Sequence, residues 1–354
     1  MDKLLENKLF RICLISVVVI ILIILIIAIF VGSKAKVVTE AGLINAAKRY
    51  YATNEYLLPK QKYDSTTLSL ATLVSNGYVS SNLEGASCPS YVVVTNMGSK
   101  YDYNANIMCD GSAMTLLTKL LSTRVTSGSG LYDYNNSYIF RGENPNNYVS
   151  LGNLKWRIIG IDENNNIKLI YDDLYVQYLA WDDRYNKEID EQRGINDYVS
   201  NEKSRLKEYL DSFLSNEITG ENFTGRVISM LSKHSACVGK INVESINTNA
   251  CSNKLDGQLV STISVNDYVN ASLDSNCSMT KSINCQNYNF LNKYGWTINA
   301  NSANSYTAYY IDEDEGLKTQ FTSLGSAVRP VVALKSSTIY VAGTGTVTDP
   351  YLIK

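Results

Sequence analysis

From Ile12 to Gly32 the chain runs for 21 residues without a charge, as ICLISVVVIILIILIIAIFVG. About 20 apolar residues carry a helix across a bilayer, and this stretch is apolar on every face, which a core helix does not need. It therefore predicts a transmembrane segment over residues 12–32, with the lipid bilayer as its partner and residues 1–11 as a short cytoplasmic tail. A secretory signal peptide has an apolar region of only about 7–15 residues before a small-residue cleavage site. Here the run is longer and leads into Phe30, Val31, Lys34 and Lys36, the pattern of an uncleaved signal anchor.

Charge leaves the orientation open, because Lys3, Lys8 and Arg11 before the span are matched by Lys34, Lys36, Lys48 and Arg49 after it. The cysteines decide it. Cys13 falls in the apolar run, and Cys88, Cys109, Cys237, Cys251, Cys277 and Cys285 form an even set of six in the rest of the chain. Six cysteines allow many connectivities, and the spacing points to three local pairs, Cys88 with Cys109, Cys237 with Cys251, and Cys277 with Cys285. None has the CxxC spacing of a zinc or redox motif, and all lie in Ser-, Asn- and Gly-rich sequence, so structural disulfides outside the cytoplasm are read in preference to free thiols. The expected location is the plasma membrane, single-pass, with the C-terminal part extracellular.

After the span, Val37, Ala41, Ile44, Ala47 or Lys48, and Tyr51 recur at three- and four-residue spacing, so a helix should continue to about Asn54 as a stalk, stopped by Pro59. A short helix over Leu68 to Val79 and strands at Tyr91 to Val94 and Tyr101 to Met108 follow, bracketed by Cys88 and Cys109. This layout, with the phrase AAKRYYATNEYLLP, resembles a type IV pilin or pseudopilin over roughly residues 12–110. It departs from that pattern in having no Gly-Phe processing site before the span and no glutamate near its start.

The stretch TSGSG, Thr126 to Gly130, is the most loop-like in the chain and is read as a linker (126–130) between a stalk with its small domain (33–125) and a larger module (131–354). In that module SYIF, LKWRIIGID and IKLIYDD read as strands, the last two as a hairpin around Glu163 to Asn166. Glu202 to Leu214 is an amphipathic helix, with Leu206, Tyr209, Leu210, Phe213 and Leu214 on one face. Shorter strands are expected at Arg226 to Leu231, Leu259 to Ser264, Ser305 to Ile311, Val328 to Leu334 and Thr338 to Val341. With few helical crossovers between strands, the fold class reads as α+β with a mostly antiparallel sheet. The set YIFRGENPNNYV, WRIIGID, ISVNDYVNAS, GWTIN, AVRPVVAL and GTGTVTDPYLI resembles an uncharacterised family of bacterial surface modules, of the Gram-positive type, over about residues 132–354. The resemblance implies an extracellular module with no established activity. The late Trp and Val-Arg-Pro elements also carry a distant likeness to the C-type-lectin and formylglycine-enzyme fold.

With 32 Lys+Arg against 34 Asp+Glu, the formal charge of −2 offers no basic surface for nucleic acid. One histidine, His234, cannot build a multi-histidine metal site, and it reads as a surface or loop residue. Asp162, Asn164, Asn166 and Asp173 mimic a calcium loop, but Ile167 stands where that loop needs glycine and both flanks are strands, so a hairpin turn is preferred. The acidic run Asp312 to Glu315 reads as a hairpin tip. No catalytic residue, metal or cofactor is assigned. Arg329 lies inside an apolar strand and must be paired or beside a ligand, since burial alone is costly; pairing with a carboxylate is expected. With Trp296 and Tyr309 it is also a candidate ligand contact, in a chain whose 26 tyrosines supply amphipathic rings suited to sugars and proteins. The expected function is a membrane-anchored ligand-binding or adhesion module facing an extracellular glycan or protein. The alternatives are a membrane-tethered enzyme acting on envelope polysaccharide and a minor pilin.

Overall fold

The computed structural model describes residues 37–108, 114–217, 224–242, 251, 253–278 and 282–354. The expected tail 1–11 and transmembrane span 12–32 lie outside them. Among the described residues no helix is long and apolar enough to cross a membrane. The expected membrane-spanning architecture and single-pass plasma-membrane location thus find no support among the described residues. The α+β class is corrected too: strands hold 36% of the residues and helices 18%, which makes the fold mostly β. The chain divides into two compact units, Met1–Gly111 and Ser112–Lys354.

In the first unit, helix α1 (Glu40–Thr53) starts where the Thr39 hydroxyl accepts from the Gly42 amide at 3.1 Å, satisfying one of the free donors of the first turn. Strand β1 (Ser65–Ser69), helix α2 (Leu70–Ser75), β2 (Tyr91–Asn96) and β3 (Tyr101–Asn106) follow, and the strands form an antiparallel sheet in the order β1-β2-β3. Leu43, Ala46, Ala47 and Tyr51 recur along one face of α1 and are buried in a core with Leu68, Val92 and Val94. The expected stalk is thus, over its described part, a helix packed on its own sheet, because its apolar stripe is wide enough to demand a partner. Cys88 is disulfide-bonded; Cys109 lies outside the described residues.

The second unit contains helix α3 (Leu116–Leu121), strands β4 (Gly130–Tyr134), β5 (Ser137–Arg141), β6 (Tyr148–Leu151), β7 (Leu154–Ile161), β8 (Ile167–Tyr171) and β9 (Val176–Ala180), and helices α4 (Arg205–Glu217) and α5 (Gly225–Met230). It continues with β10 (Leu231–Ser232), β11 (His234–Cys237), β12 (Lys254–Gln258), helix α6 (Val265–Ala271), β13 (Gly295–Ala300), β14 (Thr307–Asp312), β15 (Gly316–Phe321), β16 (Gly325–Val328), β17 (Val331–Leu334), β18 (Tyr340–Ala342) and β19 (Tyr351–Ile353). The main sheet runs β10-β17-β8-β7-β6-β19-β18, with β5 added on β7 and β4 on β5. Only the β19–β6 pair in it is parallel. Smaller sheets are β11-β12, β13-β14-β15 and β16-β9.

The linker expected at Thr126 to Gly130 is not a domain boundary. The Val125 amide donates to the Leu131 carbonyl at 2.9 Å, and α3 is tied into the second unit by the Leu116 amide on the Thr338 carbonyl at 2.8 Å. The glycines let the chain turn straight into β4. Arg226 to Leu231, expected as a strand, is mostly α5, and Leu259 to Ser264 is irregular because Ser264 is spent capping α6. The expected single strand Val328 to Leu334 breaks at Arg329-Pro330: β16 pairs with β9 and β17 with β8, so the two halves belong to different sheets. Proline cannot donate to a ladder, which makes that point the natural place to leave one sheet and enter another.

Strand β7 is the axis of the main sheet, and Trp156 to Ile161 are all buried. It holds β8 along one edge and, at its far end, β5 through Tyr138↔Ile161 and Ile139↔Gly160. Gly160 permits that join, since a Cβ there would lie 2.3 Å from the Tyr138 carbonyl oxygen. Gly160→Ala is expected to lower stability by about 1–3 kcal/mol through overpacking, read as a lower urea midpoint; an unchanged midpoint would show that β5 can shift freely.

Candidate functional site

The join of β5 to β7 forms one side of a cavity of about 320 Å³. Its walls are β5, the ends of β7 and β8, β11, the β7–β8 turn, the segment Ser261 to Ser264 and the first turns of α6. Each wall follows from local chemistry. Asn135 and Asn136 both have positive φ in the two-residue turn between β4 and β5, the conformation that asparagine tolerates and that matches hairpin twist. The Asp162 carboxylate accepts from the amides of Asn164 at 2.9 Å and Asn166 at 2.8 Å, closing the β7–β8 turn. That use of Asp162 fits the hairpin reading of the calcium-like spacing. At the outer side the disulfide between Cys237 and Cys251 puts both cysteines on the wall; a second disulfide joins Cys277 to Cys285 elsewhere.

Helix α6 begins with a capping box. The Ser264 hydroxyl accepts from the Asp267 amide at 3.1 Å, and Oδ2 of Asp267 accepts from the Ser264 amide at 2.9 Å. The other oxygen, Oδ1, takes the Lys168 ammonium of β8 at 2.8 Å, with about a fifth of each side chain exposed. Burial pushes the Asp267 pKa up, but Lys168 and the Ser264 donors outweigh it and hold the carboxyl below its ordinary value. Beside this pair, Oδ1 of Asn266 lines the cavity, buried and without a partner.

His234 is buried at 4% exposure, not the surface residue that the sequence implies. Its Nε2 lies 2.8 Å from the Ser261 hydroxyl, and its Nδ1 has no partner. His234 is not itself part of the cavity lining, but its partner Ser261 and its strand neighbours Ser235 and Ala236 are. Burial first, and then the Lys168 charge, push the imidazole pKa down to about 3 against a weaker upward pull from Asp267. A histidine so depressed is a poor general base at neutral pH, and the nearby Asp267 is already engaged, so the Ser261–His234 contact lacks the orienting carboxylate of a hydrolytic triad.

The candidate residues read from the sequence lie elsewhere and serve the core. Trp296, 1% exposed, donates from Nε1 to the Leu179 carbonyl at 2.7 Å. Tyr309, equally buried, donates from its hydroxyl to the Ile241 carbonyl at 3.2 Å. Arg329 is not paired with a carboxylate as expected: its Nε donates to the Tyr171 carbonyl at 3.2 Å, and both Nη atoms are buried without partners. Asp172, the acid that attracts it most strongly, is taken instead by Lys293 at 3.1 Å. Burial pushes the Arg329 pKa down to about 10, only partly opposed by Asp172. None of the three lines the cavity.

Residues that the sequence reading missed include Lys168, Asn266 and Asp267. A signal for two of them was present, since Ser264-x-x-Asp267 before an apolar run is a capping box and Lys168 interrupts an apolar strand as Arg329 does. The site stands on its own geometry, because no family model, curated protein or solved structure matches the chain.

Two outcomes follow from the buried groups. Unfolded His234 takes a proton below about pH 6.5, whereas the folded chain resists it down to about 3, so protons favour unfolding across that window. Stability should fall by roughly 2.5 kcal/mol between pH 7 and 4.5 from this residue, and pH-dependent melts of His234→Gln should show a shallower fall. For Arg329, which has no ionic partner, the apolar replacement Arg329→Met is expected to keep or raise the melting temperature. A loss of several degrees would restore the paired reading.

Proposed function

We propose that the second unit is a binding module, working in an oxidising compartment, whose ligand enters the cavity between β5, β11 and α6. The observation that carries this reading is the cavity itself: 320 Å³, at the small end of ligand pockets, with exposed polar residues at its rim and buried serine, threonine and asparagine groups within. Its charges are largely internal pairs. Lys168 meets Asp267, Lys254 meets Glu163 at 3.3 Å at the rim, and Asp162 is spent on its own turn. Such a lining suits a neutral polar ligand the size of one small ring. The two disulfides support a compartment outside the reducing cytoplasm.

The test is calorimetric titration of the whole chain with a panel of neutral saccharides and short peptides, beside two variants. Ser235→Trp sets a large ring on the exposed edge of the cavity and is expected to abolish saturable binding. Tyr178→Ala removes the most exposed tyrosine side chain, at 76%, which does not line the cavity, and should leave affinity unchanged. Binding that survives Ser235→Trp, or none from any member of the panel, would overturn the proposal.

A further inference from the structure

Hydrogen-bond accounting narrows the ligand class, on the premise that the cavity is the binding site. The Lys168 ammonium carries three donors, and its one side-chain partner is Asp267, so it has hydrogen-bonding capacity to spare toward the cavity it lines. Both Asp267 oxygens are already engaged, one by Lys168 and the other by Ser264. Next to them in sequence and on the same wall, Oδ1 of Asn266 is a buried acceptor with nothing to accept. A second orphan, Nδ1 of His234, lies on a residue outside the lining whose partner Ser261 does line the cavity. Buried polar atoms are rarely left this way, and each is costly until something completes it.

We infer that this wall recognises adjacent hydroxyl groups of a sugar ring, one accepting from Lys168 and one donating to Oδ1 of Asn266. A hydroxyl both donates and accepts, and so meets the two complementary groups at once. A phosphate or carboxylate would accept from Lys168 but face the Asn266 oxygen with another acceptor. A ligand ammonium would satisfy Asn266 but lie against the Lys168 charge. A peptide amide could pair with both, but the cavity holds one small ring more readily than an extended chain, and Tyr134 and Tyr138 give its β4–β5 side aromatic surface of the kind that sugar rings cover.

The experiment titrates the whole chain with hexoses, their monodeoxy analogues, inorganic phosphate and an uncharged dipeptide amide, in wild type and in Asn266→Leu. A hexose should bind, and the deoxy analogue lacking the recognised hydroxyl should bind at least about tenfold more weakly, since a site built for a hydroxyl rejects a ligand without it. In Asn266→Leu, which removes the acceptor on the cavity wall and leaves the Ser264–Asp267 cap in place, that discrimination should shrink below about twofold. Deoxy analogues that all bind as well as the parent, or tighter binding of phosphate or the dipeptide amide, would overturn the inference. If a hexose binds and Ser235→Trp blocks it while Asn266→Leu and the deoxy series have no effect, the hydroxyl scheme alone fails. If nothing binds, the cavity reading fails with it.

Discussion

The carboxylate of Asp267 is the contact on which the geometry of the site depends. One of its oxygens completes the capping box that starts α6, and the other holds Lys168 on β8, 99 positions earlier in the chain. A helix of seven residues has little stability of its own. Its start is set by the cap, and its position against the main sheet by the ion pair. Asn266 follows from that arrangement, since its place on the cavity wall is fixed by its neighbour in sequence. The same pair tunes His234, where Lys168 adds to burial in keeping the imidazole neutral.

The sheet supplies the rigid frame for this pair. Strand β7 is buried along most of its length and takes β6 and β8 at its edges before yielding to β5 at Gly160. A side chain at Gly160 would meet the β5 backbone, so the glycine decides where the cavity can open. A few strands away the chain leaves one sheet for another at Arg329-Pro330. There the structure tolerates a guanidinium short of partners, held by one carbonyl and by the carbonyl-to-hydroxyl bond that Thr262 makes with the Arg329 backbone at 3.0 Å. The three side chains with orphan polar atoms discussed above thus fall into two kinds. Asn266 lines the cavity and His234 is bonded to Ser261, which lines it too, whereas Arg329 is not part of that lining.

The disulfides act where the sheet frame is weakest. Cys237 ends β11, the shorter member of a two-stranded sheet, and its bond to Cys251 closes a separation of 14 residues at the cavity wall. Isolated two-stranded sheets are marginal in water, and closing such a loop restricts the unfolded chain. The bond also continues into the core through the Cys237 carbonyl, which accepts from the Asn299 side-chain amide at 3.0 Å.

The sequence by itself determined the features that arise between near neighbours. The β7–β8 hairpin, the amphipathic helix at α4, the acidic tip between β14 and β15 and the local pairing of Cys237 with Cys251 were legible in this way, because turn chemistry, periodicity and spacing act over a few residues. The expected membrane stalk, the boundary at Thr126 to Gly130 and the carboxylate partner of Arg329 were misread. Each depends on what a segment meets across the fold: α1 meets its own sheet, the TSGSG loop folds straight back on β4, and Lys293 reaches Asp172 in place of Arg329. The site was legible least of all. Asn266 and Asp267 look like ordinary helix-start residues and His234 like a loop histidine, and only the tertiary structure brings Lys168, Asn266 and Asp267 to one cavity and His234 to Ser261 on its wall, since burial and pairing are set by residues dozens of positions apart.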